Sequence, residues 1–221
     1  MIPVCDVQNS KGDSGFMLSK VGVTGVRKPV CIKRAIDGND LNGMLFCSID
    51  VFVDLPAVQK GSHLSRNLEA IREVVDESIA TPVTGIENLA VDICKKLLVK
   101  HEYASEANVK IEAEYFKDTS TPNGRKTMES YKLIGKAKGI RDSKIRKTLG
   151  VEVIGMTACP CAQQTVTEIL EYPAGWPVMS HNQRNVCTVI MDMDENYDVE
   201  ANGLIELIES FKHYDKFNYS K

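Results

Sequence analysis

Residues 21–55 read "VGVTGVRKPVCIKRAIDGNDLNGMLFCSIDVFVDL", and this stretch decides the fold. Its first part, "VGVTGVRKPVCIKR" (21–34), is rich in β-forming residues, and "MLFCSIDVFVDL" (44–55) alternates in its second half. Between them "DGNDLNG" (37–43) carries the Asp-Gly and Asn-Gly signals of a turn, so the segment is a hairpin. Upstream, residues 1–20 are polar and Gly/Ser-rich and read as a loose arm. Downstream, Leu68, Ile71, Val75 and Ile79 recur at spacings of three and four, as do Ile86, Leu89, Ile93 and Leu97. Two helices therefore follow the hairpin. "TPVTG" (81–85) separates them, because Pro82 cannot sit inside a helix.

The pattern then returns to strand. "ANVKIEAEYFK" (107–117) alternates, with Val109, Ile111, Ala113 and Tyr115 on one face. "TSTPNGRK" (119–126) is a turn-rich link, 129–140 reads as helix or strand equally well, and "KTLGVEVIGMTA" (147–158) is a strand. "RNVCTVIMDMD" (184–194) is another strand. "GLIELIESF" (203–211) is an amphipathic helix with Leu204, Ile205, Leu207, Ile208 and Phe211 available to pack. Strand pairs with helices on one face point to an α+β antiparallel sheet rather than a parallel dinucleotide-binding wind. No Gly-x-Gly-x-x-Gly follows a strand, and there is no phosphate-loop motif. The second half loosely echoes the first, which gives two modules of one domain, about residues 20–118 and 119–221.

Composition narrows the function classes. The chain has 221 residues, 43% hydrophobic and 26% charged, with a formal net charge of −3. That balance supplies a sizeable core and gives no general attraction to nucleic acid or membrane. No run is long and apolar enough to span a bilayer, and the start, "MIPVCDVQNSKGDSG", lacks a basic-then-apolar export signal. The seven cysteines, at 5, 31, 47, 94, 159, 161 and 187, form no spacing framework. They read as mostly buried thiols in a reducing, cytoplasmic compartment.

Chemistry concentrates in two places. "TACPCAQ" (157–163) ends the strand 147–158 with Cys159-Pro160-Cys161, and "HNQR" (181–184) opens the next strand with His181. Two cysteines one residue apart do not comfortably ligate one tetrahedral ion. On its own the pair reads equally as one buried and one exposed thiol. Location adds to this, since Pro160 stops the strand at Cys159. On its own His181 reads first as a polar loop histidine, but if the two strands are antiparallel neighbours, Cys159 and His181 meet at one end of the sheet. A thiolate with a neutral imidazole suits Fe(II), Zn(II) or Mn(II). Such an ion lowers the pKa of bound water from 15.7 towards about 7. A cysteine–histidine nucleophilic pair is the lesser alternative, because no third orienting residue is evident.

The second place is "QKGSHLSR" (59–66), between a strand and a helix start. Lys60, His63, Ser65 and Arg66 offer cations and hydroxyls, and the helix N-terminus adds backbone N–H groups suited to a phosphate. A plain capping loop with Ser65 as the cap is the competing reading. "KHEYAS" (100–105) offers His101, Glu102 and Tyr103, or simply Lys100 and His101 complementing a helix C-terminal dipole.

These stretches together resemble a known family. "DVQ" (6–8), "VGVTGV" (21–26), "VFVDLPAVQKGSHLSR" (51–66), "KHEYAS" (100–105), "GMTACPCAQ" (155–163) and "HNQR" (181–184) are similar, in order, to blocks of the type IB GTP cyclohydrolases. The similarity runs from residue 6 to about residue 212 and is closer to the archaeal branch that feeds methanopterin synthesis. It implies a tunnelling fold, in which subunits of a homodimer or homotetramer join their sheets into a barrel and form sites at interfaces. It implies metal-assisted hydrolysis of GTP at C8 with release of formate and rearrangement to a dihydropterin. Archaeal relatives use Fe(II) and yield dihydroneopterin 2′,3′-cyclic phosphate, whereas bacterial relatives yield the triphosphate. By position, Cys159 and His181 are the implied metal ligands, with His63 beside them in catalysis. Lys60, His63, Ser65 and Arg66 are the implied substrate side.

One departure accompanies the resemblance. Family members continue past the equivalent of Lys221 into a segment carrying an acidic metal ligand, a guanine-anchoring glutamate and a further histidine, whereas this chain ends at "YDKFNYSK". The expectation is a chain lacking that segment, with Glu206, Glu209 and His213 as the nearest stand-in ligands. The alternative function is a non-catalytic tunnelling-fold protein that binds a purine or pterin, or that partners an intact subunit.

Overall fold

The computed structural model of the chain describes residues 7–8, 10–12, 15–36, 39–120, 124–171 and 178–212. Six strands form one antiparallel sheet in the order of the chain: β1 (Leu18–Ile36), β2 (Asn39–Leu55), β3 (Glu106–Ser120), β4 (Lys126–Ile140), β5 (Arg146–Ala158) and β6 (Asn182–Asp194). The helices α1 (Leu64–Ala80) and α2 (Ile86–Lys100) lie between β2 and β3. A third, α3 (Pro160–Ile169), follows β5, and α4 (Ala201–Lys212) follows β6. The α+β antiparallel reading is therefore correct, and the ambiguous stretch 129–140 is strand.

Alternation explains the layering. Leu45, Cys47, Ile49, Val51 and Val53 of β2 are buried, while Met44 and Phe46 are exposed. On β3, Val109, Ile111, Ala113 and Tyr115 all face the core, as their spacing predicts. One continuous cluster joins these strands to α1, α2 and α4, so the helices share one face of the sheet. The other face carries a groove of about 1100 Å³ lined by Lys28, Phe46, Glu112, Phe116, Lys132 and Ile154 among others.

Several local expectations change. β1 and β2 stay paired to Ile36↔Asn39, so the ladder runs through most of "DGNDLNG" and only positions 37–38, which lie outside the described residues, separate the strands. Within "VGVTGV" the register shifts between Val23 and Val26. Gly25 occupies the bulge at a φ of +69°, a conformation side chains resist, and its N–H donates to Asp50 Oδ1 at 2.7 Å. The N-terminal arm is not loose where it is described. The Gly61 N–H donates to Gln8 O and the Lys60 N–H to Ser10 O. On α1 the inward stripe is Asn67, Ala70, Ile71, Val74, Val75 and Ser78, whereas Leu68 and Ile79 face solvent. On α2 the expected Ile86, Leu89, Ile93 and Leu97 are all buried. Leu204, Ile205 and Ile208 of α4 pack and Leu207 does not. The side chain of Phe211 lies outside the described residues.

Cysteine burial was overestimated. Only Cys47 and Cys94 are buried among the described residues, and their desolvated thiols are pushed up to about 12. Cys31 and Cys159 are partly buried, and Cys161 and Cys187 are exposed.

Candidate functional site

β5 and β6 are antiparallel neighbours, and their ladder runs to the last pair, Ala158↔Asn182. The next residues outward are Cys159 and His181. The Cys159 N–H donates to His181 O at 3.3 Å, so their backbones are adjacent across the strand ends. Ser180 holds this corner. Its Oγ accepts from the Cys159 N–H at 3.0 Å and donates to Cys159 O at 2.8 Å. Sequence reading missed α3, which Cys159 caps and Pro160 opens at N1. Pro160 thus does more than end a strand: its fixed φ and absent N–H suit the first helical position. His181 is exposed, Cys159 is half-buried, and Cys161 is exposed one turn position further on.

Cys159 and His181 are the right donor types for a borderline transition metal. Among the described residues no group of three or more His, Cys, Asp and Glu side chains is placed to hold an ion. The stand-in ligands are otherwise engaged: Glu206 pairs with Lys117 at 3.0 Å, and Glu209 accepts from the Tyr131 hydroxyl. His213 and most of "YPAGWPV" lie outside the described residues.

The loop 59–66 is built differently from its expectation. α1 starts at Leu64 with His63 as the N-cap, without a side-chain capping bond, so Ser65 is inside the helix and is not the cap. Arg66 Nη1 donates to Lys100 O at 3.1 Å, and Ser62 Oγ lies 2.9 Å from Tyr103 OH. The "KHEYAS" turn thus lies against "QKGSHLSR". His101 is fully buried and does not supply charge to the end of α2. Burial first, then the nearby positive charges of Arg66 and Lys100, lower its pKa to about 4, so the ring is neutral. The cations at the end of α2 are instead Lys100, which also pairs with Glu73 at 2.8 Å, and the Arg66 and Arg141 guanidiniums, which donate to Lys100 O and Leu98 O.

The two clusters do not meet within one chain. Cys47, Ala113, Leu133, Val151 and Val189 stand in one row across β2 to β6. From that row Leu55 is eight residues along β2 and Cys159 eight residues along β5, and these strands run in opposite directions. At about 3.3 Å per residue the two ends are about 50 Å apart.

An antiparallel α+β sheet with a thiol–imidazole corner at one end and a cationic loop at the other defines the class of site. Comparison then gives the family. The profile of the type I GTP cyclohydrolase folE2 family matches residues 4–218. The GTP cyclohydrolase MptA of Methanosphaera stadtmanae is 39% identical, over 92% of this chain and 70% of its own length. GTP cyclohydrolase MptA 1 of Methanocella arvoryzae is 40% identical, over 93% and 69%. The MptA of Methanocaldococcus jannaschii is 36% identical, over 93% and 71%. The chain belongs to the type I GTP cyclohydrolase family.

Proposed function

We propose that this GTP cyclohydrolase of pterin biosynthesis works through a metal held by Cys159 and His181, with Lys60, His63, Ser65 and Arg66 receiving the nucleotide. The observation that carries this reading is the backbone hydrogen bond that sets Cys159 beside His181 at the β5–β6 corner. When bound, Fe(II), Zn(II) or Mn(II) supplies a water acidic enough to attack C8 near neutral pH. The chain's own contribution is placement. Ser180 and the start of α3 fix Cys159, and Lys60 and Arg66 give the loop before and at the start of α1 the positive charge that suits an anionic ligand. His63 stands at the N-cap of α1 in that loop. The product in this reading is the 2′,3′-cyclic phosphate of the archaeal branch.

The about 50 Å between the clusters leads to the quaternary part of the proposal: the corner of one copy faces the loop of another in a homodimer or homotetramer of tunnelling-fold type. The exposed apolar Val186 and Ile190 on the edge strand β6 support such packing. No helix among the described residues is long and apolar enough to cross a membrane, and the proposed setting is the cytoplasm.

The test is formate release from GTP by metal-loaded protein, with metal content measured in parallel. Wild type should release formate and retain metal, and Cys159→Ala and His181→Ala should each lose at least about a hundredfold in rate, since second-shell changes alone cost ten- to a hundredfold. GTP binding without formate release by metal-loaded wild type would instead make the chain a non-catalytic purine- or pterin-binding member. Activity blocked by alkylation yet untouched by chelation would favour a cysteine nucleophile.

A further inference from the structure

We propose that His101 and Tyr103 are positioning residues that lock the 59–66 loop through Ser62, a role that rests on the reading of this loop as the substrate side. The turn carrying them is held from two directions. Arg141 donates from Nε to Ala104 O at 2.8 Å and from Nη2 to Leu98 O at 2.7 Å and His101 O at 2.8 Å. Asp54, at the end of β2, accepts from the Ser105 N–H, the Ser105 hydroxyl and the Glu106 N–H at 2.6–2.8 Å. The turn is therefore a fixed platform, and Tyr103 projects from it to the loop.

The direction of the hydrogen bonds follows from the partners. Asn67 Oδ1 lies 2.7 Å from His101 Nε2 and can only accept, so Nε2 carries the proton. The neutral ring then accepts at Nδ1 from the Tyr103 hydroxyl, 2.9 Å away. Tyr103 has no second proton, so at its other side it accepts from Ser62, also at 2.9 Å. The Ser62 hydroxyl is thereby fixed as a donor to the platform. His101 and Asn67 are both fully buried, and the His101 and Tyr103 rings meet edge to face at 5.4 Å. A buried chain with one allowed direction holds one geometry. Among the described residues the Lys60 and Gly61 amides donate to the N-terminal arm, at Ser10 O and Gln8 O, and Arg66 at the far end of the loop reaches Lys100 O. The Tyr103–Ser62 bond thus ties the cationic loop to the body of the fold.

Tyr103→Phe removes the hydroxyl and keeps the ring, and Ser62→Ala removes the other half. Amide hydrogen exchange in the absence of nucleotide should be about five- to tenfold faster at Lys60 and Gly61 in either variant, with α2 and β3 amides unchanged. The double variant should be no worse than either single one. GTP should bind about fivefold more weakly to Tyr103→Phe, raising KM with kcat kept and the melting temperature within a few degrees of wild type. Unchanged exchange at Lys60 and Gly61, or faster exchange with unaltered GTP affinity, overturns the proposal. Absence of formate release in wild type would overturn the enzymatic reading alone, since exchange and GTP binding still report on the loop. Should His101→Gln fail to fold, Tyr103→Phe and Ser62→Ala decide the matter by themselves.

Discussion

His101 shows how one buried ring gives the whole chain a pH dependence. Its neutral form is required in the fold, with a pKa lowered from 6.5 to about 4. The unfolded chain binds the proton first, so the stabilisation is complete above pH 6.5 and is lost as pH falls towards 4. At pH 5 the loss is about 2 kcal/mol. Denaturant unfolding at pH 7.5 and pH 5 should show this difference, and His101→Gln should lack most of it. The carboxylates held low by hydrogen-bonded neighbours, Glu73 by Lys100 and Lys96, Glu106 by Asn108 and then Lys138, Glu112 by Lys110 and Lys132, and Asp198 by Lys147 and Asn88, act in the window below their ordinary range. Burial holds the Glu87 carboxyl high, which acts in the opposite sense: its charging opposes folding as pH rises. A His101→Gln variant that keeps the wild-type difference between pH 7.5 and 5 would show that the ring does not carry it.

At the scale of elements, close backbone approach decides what can change. A Cβ on Gly135 of β4 would stand 2.7–2.8 Å from the backbone of Ile86 and Glu87, so α2 rests directly on the glycine. Gly135→Ala should destabilise by about 1–3 kcal/mol, because neither backbone can yield cheaply. Gly203 of α4 has nothing within 4 Å of its Cβ position, and Gly203→Ala should stabilise by about 0.5–1 kcal/mol. Thermal unfolding of both variants checks the contrast. The same packing explains what was legible in the sequence. α2 was readable because its inward positions are apolar at helical spacing. α1 was half readable: Ile71 and Val75 are buried as their spacing predicts, whereas polar Asn67 and Ser78, each with a hydrogen-bond partner, take the inward places instead of Leu68 and Ile79. α3 has no buried residue and so no stripe to detect, although Pro160 after Cys159 was a usable signal. In β4 the consecutive buried residues Leu133, Ile134 and Gly135 interrupt the alternation, which blurred the period of 129–140.

Over the whole molecule, the thiol–imidazole corner was legible because it depends on one local ladder, whereas its distance from the cationic loop depends on the direction of every strand in the meander. That distance makes a trans arrangement testable. Cys159→Ala and His63→Ala should each abolish formate release as pure proteins. If a site takes Cys159 from one copy and His63 from another, dissociating and reassociating an equimolar mixture makes about half of the dimers mixed, and each mixed dimer has one of its two sites intact. Activity should then recover to about a quarter of wild type, with the native oligomer restored on sizing. A site completed within one chain would recover nothing, because every subunit in the mixture carries a lesion. Mixed oligomers without activity would thus sink the trans site, and with it the reason for reading two clusters about 50 Å apart as one centre.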